Sequence, residues 1–125
     1  ARAGNPDVAI AMGTGAGSTH CVSADDEDYM AGEANGIDIA PLKSISRNLL
    51  QPHQLTCLDC FWKYAPEEQE SPAMPDPKYS IKDLRAFLAA CREYDVAVTF
   101  NVGIYRGGTL AEKTVSQLQE LSTSN

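Results

Sequence analysis

The sequence predicts an α/β fold in which parallel strands alternate with helices. Three observations carry that prediction. The final third reads as helix, strand, helix; a β-type apolar run stands near the start; and the 125 residues, 43% of them hydrophobic, suffice for one domain of ordinary size. Strands interleaved with helices pack as a parallel sheet that the helices cover. A chain of this length buries about two-thirds of its unfolded surface, so residues 1–125 are expected to form a single α/β domain.

In chain order, "ARAGNPD" (1–7) reads as a helix end turning at Gly4 into Asn-Pro-Asp. The apolar run over 8–12, "VAIAM", is expected to be a buried strand. From Gly13 to about Asp38 the chain is rich in glycine and acid and reads as one long loop. Loops beyond about 12–15 residues are often functional. A short helix is expected over 40–50, and "HQLTCLDCFW" (53–62) is expected as a strand leading into a loop. The stretch "APEEQESPAMPDP" (65–77) reads as a Pro- and Glu-rich surface connection. Ser80 and Asp83 have capping-box spacing, and Ile81, Leu84, Phe87, Leu88 and Cys91 then recur at helical intervals. "VAVTFNVG" (96–103) has the β-branched and aromatic content of a buried strand. Gly107-Gly108 breaks the chain. Thr109 with Glu112 repeats the capping spacing, and Leu110, Val115, Leu118 and Leu121 line the helix that follows.

Charge narrows the partners. Ten basic residues against seventeen acidic ones give a net charge of −7, and the Lys and Arg are scattered. No basic stripe follows a phosphate backbone, so neither nucleic acid nor an anionic membrane is an expected partner. No apolar run approaches the roughly 18 residues of a membrane-spanning helix. The chain opens Ala-Arg-Ala-Gly without Met or a signal-peptide pattern, and is expected to be processed or cut from something longer. Secretion is compatible with that reading. The four cysteines, Cys21, Cys57, Cys60 and Cys91, permit two disulfides without requiring them.

Four motifs invite chemistry, and each has a plainer competitor. "VAIAMGTGAG" resembles the start of a dinucleotide-binding turn, with Gly13 and Gly15 in place but Ser18 at the third position. The acids Asp25 to Asp28 follow, and they repel phosphate; a tight turn after a strand is the simpler reading. "CLDC" pairs Cys57 with Cys60, and His20, Cys21 and His53 are available as further zinc ligands. Residues three apart on a strand point to opposite faces, so two ordinary thiols compete with a metal or redox site. In "DDEDYMAGE" the acids form either a solvated face or a source for one carboxylate turned into a cleft beside Tyr29 and Trp62, as a glycosidic acid requires. Asn101, at the end of the expected strand, stands where parallel sheets place their ligands, or serves its own loop.

The segment "YSIKDLRAFLAACREYDVAVTFNVGIYRGGTLAEKTVSQLQEL" resembles the closing part of the catalytic barrel in alpha-L-fucosidase-like glycoside hydrolases. That family shows a helix, a final strand with an N-x-G motif, a "DGT"-like turn and a closing helix. Asn101-Val102-Gly103 and Gly107-Gly108-Thr109 match in order and spacing, although the Asp usual before the glycine is absent. "EDYMAGE" resembles the family stretch that ends in the catalytic acid/base, which falls on Glu33. "HQLTCLDCFWKY" resembles a strand and loop whose aromatic lines the sugar pocket, which falls on Trp62, with Tyr64 at the motif's tyrosine. Among the departures, His53 lies near where many members carry a "W-E" pair. Phe61 and Lys63 replace the small residues around the aromatic, and the Arg expected after the first strand is missing.

The resemblance implies the closing half of a TIM barrel, with Glu33 catalytic and His53, Trp62, Tyr64 and Asn101 contacting a carbohydrate, without metal or cofactor. A full barrel takes roughly 250 residues, and the family's nucleophile strand has no counterpart here. The chain is thus expected to be an incomplete retaining hydrolase, completed by self-association or by a second polypeptide. A non-catalytic carbohydrate-binding or interaction protein on the same scaffold, and a small zinc or redox protein using Cys57 and Cys60, are the alternatives.

Overall fold

The computed structural model describes residues 3–13, 20, 22, 24–34, 36–44, 50–59, 74–105 and 107–123. It contains a parallel sheet of three strands, β1 (Tyr29–Ala34), β2 (Gln51–Cys57) and β3 (Ala97–Asn101), in the spatial order β1-β2-β3. Two helices, α1 (Ile81–Glu93) and α2 (Glu112–Ser122), and a short 3-10 turn at Pro41–Ser44 complete it. The expected α/β class is present in this coarse form.

Helix α1 forms where its sequence places it. Ser80 Oγ accepts the Asp83 N–H at 3.1 Å and donates to the Asp83 carboxylate at 2.6 Å, so the capping pair closes on itself. Leu84, Phe87 and Cys91 are buried along one stripe, and Tyr94 ends the helix with its N–H on the Ala90 carbonyl. The chain then reverses through Asp95, whose φ of 55° lies in the left-handed region that Asx residues tolerate. β3 starts at once.

The stripe on α1 covers one face of the sheet. Phe87, Cys91, Val96 and Leu42 form a buried cluster, with Ile37, Tyr94, Val98 and Phe100 packed against it. Phe87 and Phe100 meet as tilted rings 6.4 Å apart. The 3-10 turn thus contributes Leu42 to the core; of the helix expected over 40–50, residues 45–49 lie outside the described residues. Burial pushes the Cys91 thiol up to about 11, which leaves it a hydrocarbon-like filler at neutral pH.

Several expectations are corrected. Residues 8–12 form no strand, because their backbone is used by acids instead of a neighbouring strand. Ile10 N–H donates to the Asp28 carboxylate and Ile10 O accepts the Asp28 N–H, both at 2.7 Å, while Met12 N–H donates to Glu27. The acidic stretch therefore works partly as a backbone clamp. The long loop expected from Gly13 to Asp38 contains β1, so Glu33 stands on a strand. Within 53–62, expected as a strand leading into a loop, the strand is Gln51–Cys57 and residues 60–62 lie outside the described residues; the strand expected over 96–103 runs Ala97–Asn101. α2 starts after Ala111, which offers no side-chain cap, so the expected Thr109–Glu112 pair does not cap it. Leu110, Val115, Leu118 and Leu121 are only half-buried, and the buried residue of that helix is Thr114. The Gly107-Gly108 break is a tight turn: Gly108 sits at φ 84° and its N–H bonds the Tyr105 carbonyl at 2.8 Å.

Candidate functional site

Alternation along the strands divides the sheet into two faces. Met30, Pro52, Gln54, Thr56, Val98 and Phe100 belong to the face that α1 covers, and the first four are buried. Tyr29, Ala31 and Glu33 on β1, His53, Leu55 and Cys57 on β2, and Thr99 and Asn101 on β3 share the opposite face. Apart from Cys57, these residues are half-buried or exposed. The open face is also the polar one.

A cavity of about 230 Å³ lies on it, walled by Tyr29, Ala31, Glu33, His53 and Leu55, with Gly13 contributing. Glu33 pairs in register with Leu55, and His53 with Ala31. A one-strand, two-residue offset puts the two side chains about 8 Å apart at their origins by strand geometry. Among the described residues, no hydrogen bond or ion pair engages the Glu33 carboxylate. The other acids of the sheet region are committed: Glu27 and Asp28 hold backbone N–H groups, and Asp59 binds Gly103 and Thr114. Glu33 is the carboxylate left facing space.

His53 is held from two sides. Its Nε2 lies 2.8 Å from Thr99 Oγ1, and its ring meets that of Tyr29 edge-on at 5.7 Å. Partial burial lowers its basicity below the ordinary imidazole value, so the ring is neutral at pH 7. His20 reaches the same strand from the covered face. A carbonyl only accepts, so His20 Nε2 carries the proton and donates to the His53 carbonyl at 3.1 Å. Burial is the chief cause of a lowered pKa at His20; the bond to His53 opposes it and the His53 charge adds to it.

Gly32 makes room for that contact. A Cβ there would come within 2.6 and 2.7 Å of His20 Cδ2 and Cε1. We therefore predict that Gly32→Ala expels the His20 ring and costs about 1–3 kcal/mol. In an imidazole NMR titration the His20 pKa then moves upward toward its solvated value. An unmoved His20 titration would show that the ring is held otherwise.

The two lowered histidines also set an acid limit. Unfolded histidine takes up its proton near pH 6.5, while His20 and His53 in the fold resist protonation until lower pH. The unfolded state thus binds more protons in that window, and stability falls as acid is added. Their contribution is complete above about pH 6.5 and is lost as pH drops through the folded values. Urea midpoints at pH 7.5, 6.5 and 5.5 are expected to decline in that order. A flat series would contradict the burial of both rings.

Of the residues singled out from the sequence, the structure brings Glu33 and His53 into one cavity. Asn101 ends β3 on the same face but outside the cavity wall, with Nδ2 3.9 Å from Cys57 Sγ. Trp62 and Tyr64 lie outside the described residues, as do Cys21, Cys60, Gly15 and Ser18. Cys57 is fully buried, and the described residues contain no group of three or more His, Cys, Asp or Glu side chains able to hold a metal. Thr99 was not singled out from the sequence. Once β3 is paired with β2, its odd-numbered position places it beside His53.

A second concavity, of about 710 Å³, lies between residues 74–76 and the start of α2, against Tyr105 and Leu110. It is larger, yet its Asp76 and Lys113 already pair with each other at 2.6 Å. The smaller cavity is the better candidate because its carboxylate, Glu33, is half-buried beside His53, whereas Glu112 at the larger one is exposed. Among the described residues, no helix is long and apolar enough to cross a membrane. No family model, no curated protein and no solved structure matches the chain.

Proposed function

We propose that this chain binds a saccharide on its open sheet face and forms the closing part of a fucosidase-like glycoside hydrolase, with Glu33 in the acid/base position. One observation carries the reading: an unpartnered, half-buried carboxylate faces a cavity beside a neutral imidazole and a tyrosine. Those are the groups that bond sugar hydroxyls and pack against a sugar ring. The sequential parallel order β1-β2-β3, with α1 on one face only, supports a piece of a barrel whose inner face is the open one. Asn101 lies farther along that face, toward the carboxyl ends of the strands where such folds carry their sites.

In this reading Glu33 protonates the leaving glycosidic oxygen and later takes a proton from the attacking water. His53, oriented by Thr99, bonds a ring hydroxyl. A retaining reaction also needs a nucleophilic carboxylate about 5–5.5 Å from the acid. Among the described residues, Glu33 is the only carboxylate in the cavity wall. The nucleophile would then come from a second copy or another polypeptide that extends the sheet past β1 or β3. The single carboxylate equally favours the second reading, a binder without turnover.

Calorimetry with a fucoside and an aryl-fucoside hydrolysis assay, run on one sample of known solution mass, test this. The monomer is expected to bind without turnover. An assembly with turnover should lose it by about 10²–10⁴-fold in Glu33→Gln while keeping its ligand. A folded chain that binds no saccharide in either state would overturn the proposal.

A further inference from the structure

Glu33 stands on a stretch of strand that its own sequence supports poorly. β1 has no β-branched residue, and Gly32, directly before Glu33, adds backbone freedom and no side chain to pack. The space over Gly32 is filled from elsewhere, by the His20 ring. The same ring donates from Nε2 to the His53 carbonyl at 3.1 Å. Gly32 pairs in register with Gln54, and Ala31 with His53, so the ring lies over the seam between β1 and β2. It packs on one strand beside Glu33 and bonds the other at His53 itself. Burial keeps it uncharged at neutral pH, and the carbonyl holds its one proton on Nε2.

We infer that His20 is a positioning residue for the ligand site: it braces β1 against β2 from the covered face and so sets the offset between the Glu33 carboxylate and the His53 ring. The inference rests on the Glu33–His53 reading above and adds to it a residue that touches no ligand. Gly32 and Glu33 are consecutive on the strand and face opposite ways, so a displacement of Gly32 carries Glu33 with it. The His53 ring is held by Thr99 and Tyr29, and the bond from His20 holds its main chain. A binding site tolerates errors of only about 0.5 Å in its contacting groups, which a glycine-containing strand does not guarantee unaided.

Three substitutions separate the brace from simple packing. In His20→Gln the side-chain nitrogen stands where Nε2 does and still reaches the His53 carbonyl. His20→Asn is too short to reach it, and His20→Phe keeps a ring without the donor. Binding of a methyl fucoside is measured by NMR on each folded chain at pH 7.5, with the urea midpoint and the His53 carbonyl carbon shift recorded alongside. Affinity is expected to fall about five-fold in His20→Asn and His20→Phe, the loss of one hydrogen bond, and to stay within about two-fold in His20→Gln. The carbonyl carbon shift should move in the first two and hold in the third. A lowered urea midpoint with unchanged affinity would assign His20 a purely structural role and overturn the inference. Equal losses of affinity in all three variants would also overturn it. If His20→Phe does not fold, the contrast between His20→Gln and His20→Asn decides alone. Absence of binding in the unaltered chain would overturn the saccharide site and the inference together.

Discussion

Asp59→Ala is expected to cost about 3–5 kcal/mol, measured by urea denaturation, because hydrogen bonds to a charged group contribute about 1.5–3 kcal/mol each and this carboxylate makes at least two. Asp59 follows β2 and is fully buried. One oxygen accepts the Gly103 N–H at 2.8 Å and the other the Thr114 hydroxyl at 2.7 Å. It therefore ties the end of β2 to the loop after β3 and to the first turn of α2. That turn has no cap of its own, since Ala111 bears no hydrogen-bonding side chain. A carboxylate at a helix N-terminus also opposes the positive end of the helix dipole. Asp59 thus anchors the first turn of α2 from a distant point in the chain, through the Thr114 side-chain hydroxyl. Asp59→Asn keeps the shape and part of the bonding, and should cost about 1–2 kcal/mol. A loss below about 1 kcal/mol for alanine would show that the buried carboxylate is not the clasp.

Phe87→Ala is the second large effect, at about 3–5 kcal/mol, the range for truncating a buried phenylalanine. Phe87 is 2% exposed and touches both layers of the core. It packs with Cys91 and Leu42 on one side and with the Phe100 ring on the other. The loss combines transfer of the ring to water with the cavity left between α1 and β3. Phe87→Leu should recover more than half of it by filling most of that volume. If alanine costs no more than an exposed substitution, then α1 does not cover the sheet as described.

Legibility followed how locally each feature is encoded. α1 was readable because Ser80, Asp83 and the spacing of Leu84, Phe87 and Cys91 all lie within one helix and agree. β3 was readable from its β-branched and aromatic content. β1 was not, since "YMAGEA" has no β-branched residue and a glycine in its middle, and it is held by pairing with β2. That glycine has a reason visible only in three dimensions, the His20 ring above it. Residues 8–12 misled in the opposite direction. Their apolar content suits a strand, but Met12 is 47% exposed and the backbone bonds go to Asp28 and Glu27. Asp59, set inside the "CLDC" motif, drew no attention because its partners lie 44 and 55 residues away. Glu33 and His53 were each singled out separately. Their meeting follows from the register of β1 on β2, which no short motif encodes.

The central claim is that the free Glu33 carboxylate and His53 form one ligand site. Amide and imidazole NMR shifts during titration with a methyl glycoside test it most directly. The account predicts shifts confined to Tyr29, Ala31, Glu33, His53, Leu55 and Thr99, with the affinity reduced by His53→Ala. Shifts centred instead on Tyr105, Leu110 and Lys113, or none in a folded chain, would contradict it.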